Sequence, residues 1–144
     1  MNNFQIVQSL IDYGTSKGWH ILLGDNFYQN YEASLKEYDS GDLVMAIFPF
    51  VSVIPRTKTI YNDLTYRGLV LLGRKFETTT VSNLDETYAQ KYANRLKALA
   101  PLLANALLEF ACNNELELSG EIAEELNKLD TNIDFVGGVF TFFQ

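Results

Sequence analysis

The residue types best suited to chemistry are scarce in this sequence, and their neighbours decide what each can do. There is one His and one Cys among 144 residues. A lone Cys excludes an internal disulfide, and one His with one Cys leaves almost no soft metal ligands. His20, beside Trp19, is of the type that serves as a general base. No Ser, Cys or carboxylate forms a recognisable nucleophile motif around it, so it is read as a structural or surface histidine. Cys112 ends an apolar helical stripe and is read as a small buried or half-buried hydrophobe. Asp130-x-Asn132-x-Asp134 matches the first ligand positions of a calcium loop, but Phe135 stands where the turn glycine belongs and Thr141 where the bidentate Glu belongs. The run is read as a turn. Gly68-x-x-x-x-Gly73 leads into Arg74-Lys75, not into Lys-Ser or Lys-Thr, and is discarded as a phosphate loop. No catalytic, metal or cofactor residue is assigned, and no cofactor is expected.

Charge carries more information than these motifs. Eleven basic residues against eighteen acidic ones give a net charge of −7, which argues against a binder of nucleic acid by overall positive charge. The distribution is uneven. Arg56, Lys58, Arg67, Arg74, Lys75, Lys91, Arg95 and Lys97 fall in the middle of the chain against Asp63, Glu77, Asp85 and Glu86. Glu115, Glu117, Glu121, Glu124, Glu125, Asp130 and Asp134 follow, against Lys128 alone. Two readings stand: two solvated faces, or a molecule with a positive and a negative pole. Poles suit head-to-tail contact between identical subunits, which closes into a ring when the rotation permits. Arg56, Lys58, Arg67, Arg74 and Lys75 are the candidate assembly or channel-facing residues, and Glu115, Glu117, Glu121, Glu124 and Glu125 the candidate acidic assembly face. A basic strip could also line a channel that passes DNA without reading its sequence.

The elements that must position these charges follow from the apolar pattern. The chain is 47% apolar and 20% charged, as expected of one globular domain over residues 1–144. Residues 1–18 show spaced rather than continuous apolar positions, so neither a secretory leader nor a membrane span is expected, and the chain should stay in the cytoplasm where it is made. Phe4, Val7, Leu10 and Ile11 lie at helical spacing over residues 3–16, with Asn2 or Asn3 as cap. Residues 19–23 read as a short strand closed by Gly24-Asp25-Asn26, and residues 27–41 are ambiguous between helix and loop. Residues 42–55 favour strand, with Pro49 marking an edge or a bulge. Residues 60–76 give another strand, mostly after Leu64, joined antiparallel to the first through Arg56-Thr57-Lys58-Thr59.

A long helix is expected over residues 84–112, capped by Asn83 with Glu86. Its stripe is Leu84, Tyr88, Tyr92, Leu96, Leu99, Leu103, Leu107 and Phe110, and Pro101 should kink it near residues 97–101 or divide it into two helices sharing a bend. Residues 115–119 alternate like a strand, and residues 121–129 are locally helical in propensity. A last strand spans residues 136–143, where Gly137-Gly138 marks a bulge or a close backbone approach. The expected fold is α+β: an antiparallel sheet, a long Pro-kinked helix on one face and a short N-terminal helix.

This layout resembles the tail-terminator and tail-completion family of tailed phages and prophages. The residues that carry the likeness are Phe27-Tyr28-Gln29-Asn30, Phe48-Pro49, Tyr66-Arg67-Gly68, Gln90-Lys91-Tyr92 with Arg95-Leu96, and the run Asn127-Lys128-Leu129-Asp130-Thr131-Asn132-Ile133-Asp134 before a short apolar strand. The resemblance implies a non-enzymatic virion structural protein. It would form a homo-oligomeric ring, commonly a hexamer, that caps the tail tube and meets the tail-tube protein and a neck or connector protein. It would sit in the host cytoplasm during assembly and then in the virion tail, with no membrane partner. The resemblance also implies that residues 115–129 are largely β, paired with the last strand. The alternative is a small cytoplasmic ligand-binding or hydrolytic domain, its pocket lined by Trp19, Tyr28, Tyr31 and Phe50.

Overall fold

A computed structural model of the chain describes residues 2–25, 29, 38–39, 41–54, 65–74, 87–125 and 133–143. The first helix, α1, spans Asn3–Ser16 as expected. Asn2 caps it: its side chain accepts from the Gln5 backbone N–H at 2.9 Å, while Gln5 accepts from the Asn2 backbone N–H at 2.8 Å. Two orphan donors of the first turn are thereby satisfied reciprocally. Ile6 and Leu10 are fully buried on one face, and Gly14 lets the helix sit close to the sheet, where an added Cβ would lie 2.7 Å from both Ile21 and Met45.

Among the described residues the sheet has seven strands: β1 (His20–Leu23), β2 (Leu43–Ile47), β3 (Val51–Val53), β4 (Thr65–Arg74), β5 (Glu117–Gly120), β6 (Ala123–Glu125) and β7 (Phe135–Phe143). The order is β1-β2-β4-β7-β5, with β3 also on β4 and β6 also on β7. The sheet is mixed, not wholly antiparallel as expected, because β1 runs parallel to β2. Buried Gln29 closes the end of that pair by donating to the carbonyls of Gly24 and Ile47 at 2.8 and 3.0 Å.

Pro49 marks a bulge, one of the two outcomes its sequence position allows. Phe48 donates to the Leu69 carbonyl and Val51 pairs with Arg67, so Pro49 and Phe50 together face Gly68. Having no N–H, Pro49 is tolerated where the ladder is already interrupted. Gly68 is required beside it, because a Cβ there would meet the Phe50 ring at 2.1 Å. Gly137-Gly138 marks a close backbone approach: β4 and β7 keep one register from Tyr66↔Phe142 to Gly73↔Phe135, and a Cβ on Gly137 would lie 2.2 Å from the Val70 carbonyl oxygen.

The expected long helix is not one kinked rod. A short helix, α2 (Tyr88–Lys91), passes into a π-helical turn over Tyr92–Leu96, and after a turn α3 runs over Leu99–Asn113. Pro101 stands at the third position of α3, where its missing N–H has no helical partner to lose. It therefore fits a first turn and does not bend an interior. The Asn83 and Glu86 cap lies outside the described residues. Thr87 instead caps α2, exchanging side-chain to backbone bonds with Gln90 at 2.9 and 3.2 Å. The stripe holds from Leu96 onward, where Leu99, Leu103, Leu107 and Phe110 are at most 2% exposed. Tyr92, in the π turn, is exposed.

Residues 117–120 and 123–125 are β, within the 115–129 stretch that the resemblance implied to be largely β; residues 126–129 lie outside the described residues. β5 and β6 pair with β7 in one common register, interrupted at residues 121–122, from Glu117↔Phe143 to Glu125↔Phe135. Helix propensity of a few tenths of a kcal/mol per residue is overridden here by non-local pairing.

The helices cover one face of the sheet, burying Met45, Ile47, Val70, Leu72, Val136, Phe140 and Phe142 against α1 and α3. A second cluster, Leu22, Val44, Ala46, Phe48, Leu71, Ile133 and Phe135, lies on the other face towards one end of the strands. No described helix is long and apolar enough to cross a membrane.

Candidate functional site

The open parts of the sheet are built from strand register. Beyond the second cluster, the outer face presents the row Val51–Arg67–Thr141–Ser119 across β3, β4, β7 and β5. Val51 is 48% exposed, Val139, two residues before Thr141 on the same face of β7, is 53% exposed, and Arg67 and Ser119 are exposed. Alternation along each strand sends Tyr66, Phe140 and Phe142 to the helices and leaves these residues on the opposite side.

The acidic candidates gather on one edge. Glu117 and Glu124 are exposed on β5 and β6, Glu121 is exposed between them, and Glu125 ends β6. Glu115 is exposed in the turn after α3, at φ 55°. The two described basic candidates, Arg67 and Arg74, stand apart. Arg67 lies on the outer face near one end of β4; Arg74 ends the strand at the other, opposite Leu43 on the helix side, with a buried Nε that has no hydrogen-bond partner. Seven residues at about 3.3 Å each hold them roughly 23 Å apart. Arg56, Lys58 and Lys75 lie outside the described residues.

Two further features escaped sequence reasoning. The first is an apolar groove between α3 and the β5–β6 edge. One part of about 220 Å³ is lined by Ala104, Leu107, Leu108, Leu118, Gly120 and Phe140, and an adjoining, more polar part by Tyr92, Leu96, Lys97, Ala100, Glu124 and Val136. Ile122 lines both. Leu108 is 57% exposed at its rim. Its place beside Leu107 but off the buried stripe was the available signal.

The second is a pair on β1. The Nε2 of His20 lies 2.9 Å from Oδ2 of Asp42, which also accepts from the Asp39 backbone N–H at 3.0 Å. The His20 bond first, and the Asp39 N–H second, hold the Asp42 carboxyl below its usual range. The Tyr38 ring lies against His20 at a centroid distance of 4.7 Å. The pair is part-exposed and serves to fasten the residue before β2 to β1.

Two aromatic residues of the alternative reading, Trp19 and Phe50, pack into the main core. Trp19 meets Tyr13 edge-on at 6.3 Å, and Phe50 stacks on Phe142 at 6.1 Å. Tyr28 and Tyr31 lie outside the described residues. Cys112 is exposed on α3 rather than buried. Asp134 is buried before β7, while Asp130 and Asn132 lie outside the described residues. Among the described residues no three His, Cys, Asp or Glu side chains converge as metal ligands. Compared with known proteins, the sequence matches no family model and no curated protein.

Proposed function

We propose that this chain is a non-enzymatic structural subunit of a phage or prophage tail. In this reading it is a tail-terminator or tail-completion protein that assembles with copies of itself, caps the tail tube and joins it to the neck. The observation that carries the reading is a sheet open at both edges. β3 and β5 each have one strand neighbour among the described residues, and the face between them exposes Val51 and Val139. Open edges and bare sheet surface invite pairing with another chain. The glutamates of the β5–β6 edge add a direction to such contact, because like-charged edges repel and an acidic edge selects a neutral or basic one. Among the described basic candidates, Arg67 is the one on this open face.

The test is a tube-polymerisation assay with the tail-tube protein of the same phage. Added subunit should shorten the tubes and appear at their ends in electron micrographs. Unchanged tube lengths with no bound subunit would count against the reading.

A further inference from the structure

We propose that the groove between α3 and the β5–β6 edge receives helix α1 of a second copy, with Phe4 seated in the hollow that Leu108 rims. The inference rests on the self-assembly reading above and names one contact that assembly would use.

The pattern of α1 supplies the first half of the contact. Ile6, Leu10 and Gly14 face the sheet and are buried. Tyr13 leans towards α3, its ring edge-on to Phe110 at 6.1 Å. At roughly 100° per residue, Phe4, Val7 and Ile11 form a stripe on the opposite flank, which faces away from α3 and past β1. Val7 and Ile11 are half-buried, while Phe4 is 73% exposed.

Helix α3 supplies the second half. It meets α1 through the side carrying Leu102, Asn105, Ala106 and Glu109. The groove lies along its other side, which carries Ala100, Ala104 and Leu108, and Leu108 is 57% exposed. A second α1 laid there would flank α3 opposite the chain's own α1. The helix layer would then continue from one copy to the next.

Position along the strands agrees. Asn3 reaches the Phe50 carbonyl at 3.4 Å, so the start of α1 is level with Phe50. Phe50 faces Gly68, Gly68 pairs with Phe140, and Phe140 pairs with Gly120. Phe140 and Gly120 both line the hollow of about 220 Å³. A second copy set beside the first, helices on the same side and with no shift along the strands, therefore brings Phe4 level with that hollow. Its β1 comes level with β6, since Leu22 pairs with Ala46, Ala46 with Leu71, Leu71 with Gly137 and Gly137 with Ala123. That β1 stands one column beyond β6, so the first copy's edge keeps its own place, and the arriving β3 stays clear of β5.

Charge favours α1 over an acidic occupant. The edge beside the hollow carries Glu117 and Glu121, both exposed. The first turn of α1 has no acidic residue, and the positive end of its dipole arrives at those glutamates. The contact uses different patches on the two partners, so it is heterologous and propagates head to tail.

Sedimentation velocity across micromolar to millimolar concentrations tests this with Phe4→Asp and Leu108→Asp, both at exposed positions. Circular dichroism spectra and melting curves matching the wild type confirm that each variant folds. Each variant alone should associate at least tenfold more weakly than the wild type. An equimolar mixture should associate more tightly than either variant alone, because Phe4→Asp keeps its groove and Leu108→Asp keeps its α1 stripe. Wild-type association in both variants places the contact elsewhere and overturns the inference while sparing self-assembly. Weakening by only one of the two variants, or a mixture no tighter than its components, separates the two surfaces and also overturns it. A wild-type chain that stays monomeric throughout the range removes the self-assembly reading itself.

Discussion

The two ends of the sheet's outer face are built from the same strands and have opposite fates. At one end Leu22, Val44, Ala46, Leu71 and Phe135 are fully buried; at the other Val51 and Val139 are about half exposed. The helix-covered face shows no such contrast, since Met45 and Phe142 are both buried at its two ends. Strand β4 records the difference in its own residues. Leu69-Val70-Leu71-Leu72 is apolar at every position, as a strand covered on both faces requires, whereas Thr65-Tyr66-Arg67-Gly68 alternates. Where burial is two-sided the sheet supplies stability; where it is one-sided the sheet keeps surface available for a partner.

The largest expected effect separates the two ends directly. Leu71→Ala should cost about 2–5 kcal/mol by urea denaturation, and Val139→Ala less than about 0.5 kcal/mol. Equal losses would break the comparison. Gly68→Ala, at the junction between the ends, should cost about 1–3 kcal/mol, because the Phe50 ring must leave its place against the sheet. Arg67→Ala, on the open end, should change the stability of the monomer in thermal unfolding by no more than about 0.5 kcal/mol. The same variant should weaken self-association, and the weakening should itself fade as salt is raised.

The smallest effect belongs to the covered end and depends on pH. The Asp42 carboxyl is held below its unfolded range by His20 and by the Asp39 N–H, so its contribution is present above the unfolded carboxylate range and is lost as pH falls through the lower folded value. Asp42→Asn should flatten that acidic limb of the stability curve. An unchanged acid profile would remove the pair from any role in fastening β1 to β2.

Much of this contrast was legible in the residues. Asn2 or Asn3 marked the start of α1, Pro49 marked an edge or a bulge, and the apolar density of residues 69–72 marked β4. What escaped was non-local. A stripe such as Tyr92, Leu96, Leu99, Leu103 has the same spacing whether the backbone is one helix or is broken by a π turn. Nothing in residues 20–23 reveals that their partner runs parallel. The acidic edge was visible as charge, but its pairing with β7 depends on residues 135–143, far along the chain, and the groove exists only once that pairing has formed. Of the basic residues taken as one set, the two described ones, Arg67 and Arg74, stand on opposite faces and at opposite ends of β4.

The extra residue at Pro49–Phe50 also determines how the chain tolerates change in length. Before it, even-numbered residues such as Val44 and Ala46 face outward; after it, odd-numbered Val51 and Val53 do. Loss of one residue there would remove the bulge and leave Val51 opposite Arg67, with every side chain from Val51 to Ile54 looking as it does now. Loss of two would invert that stretch, turning the valines towards the helices and Ile54 towards the open side. In this stretch an odd deletion should merely straighten the strand, and an even one should rewire it.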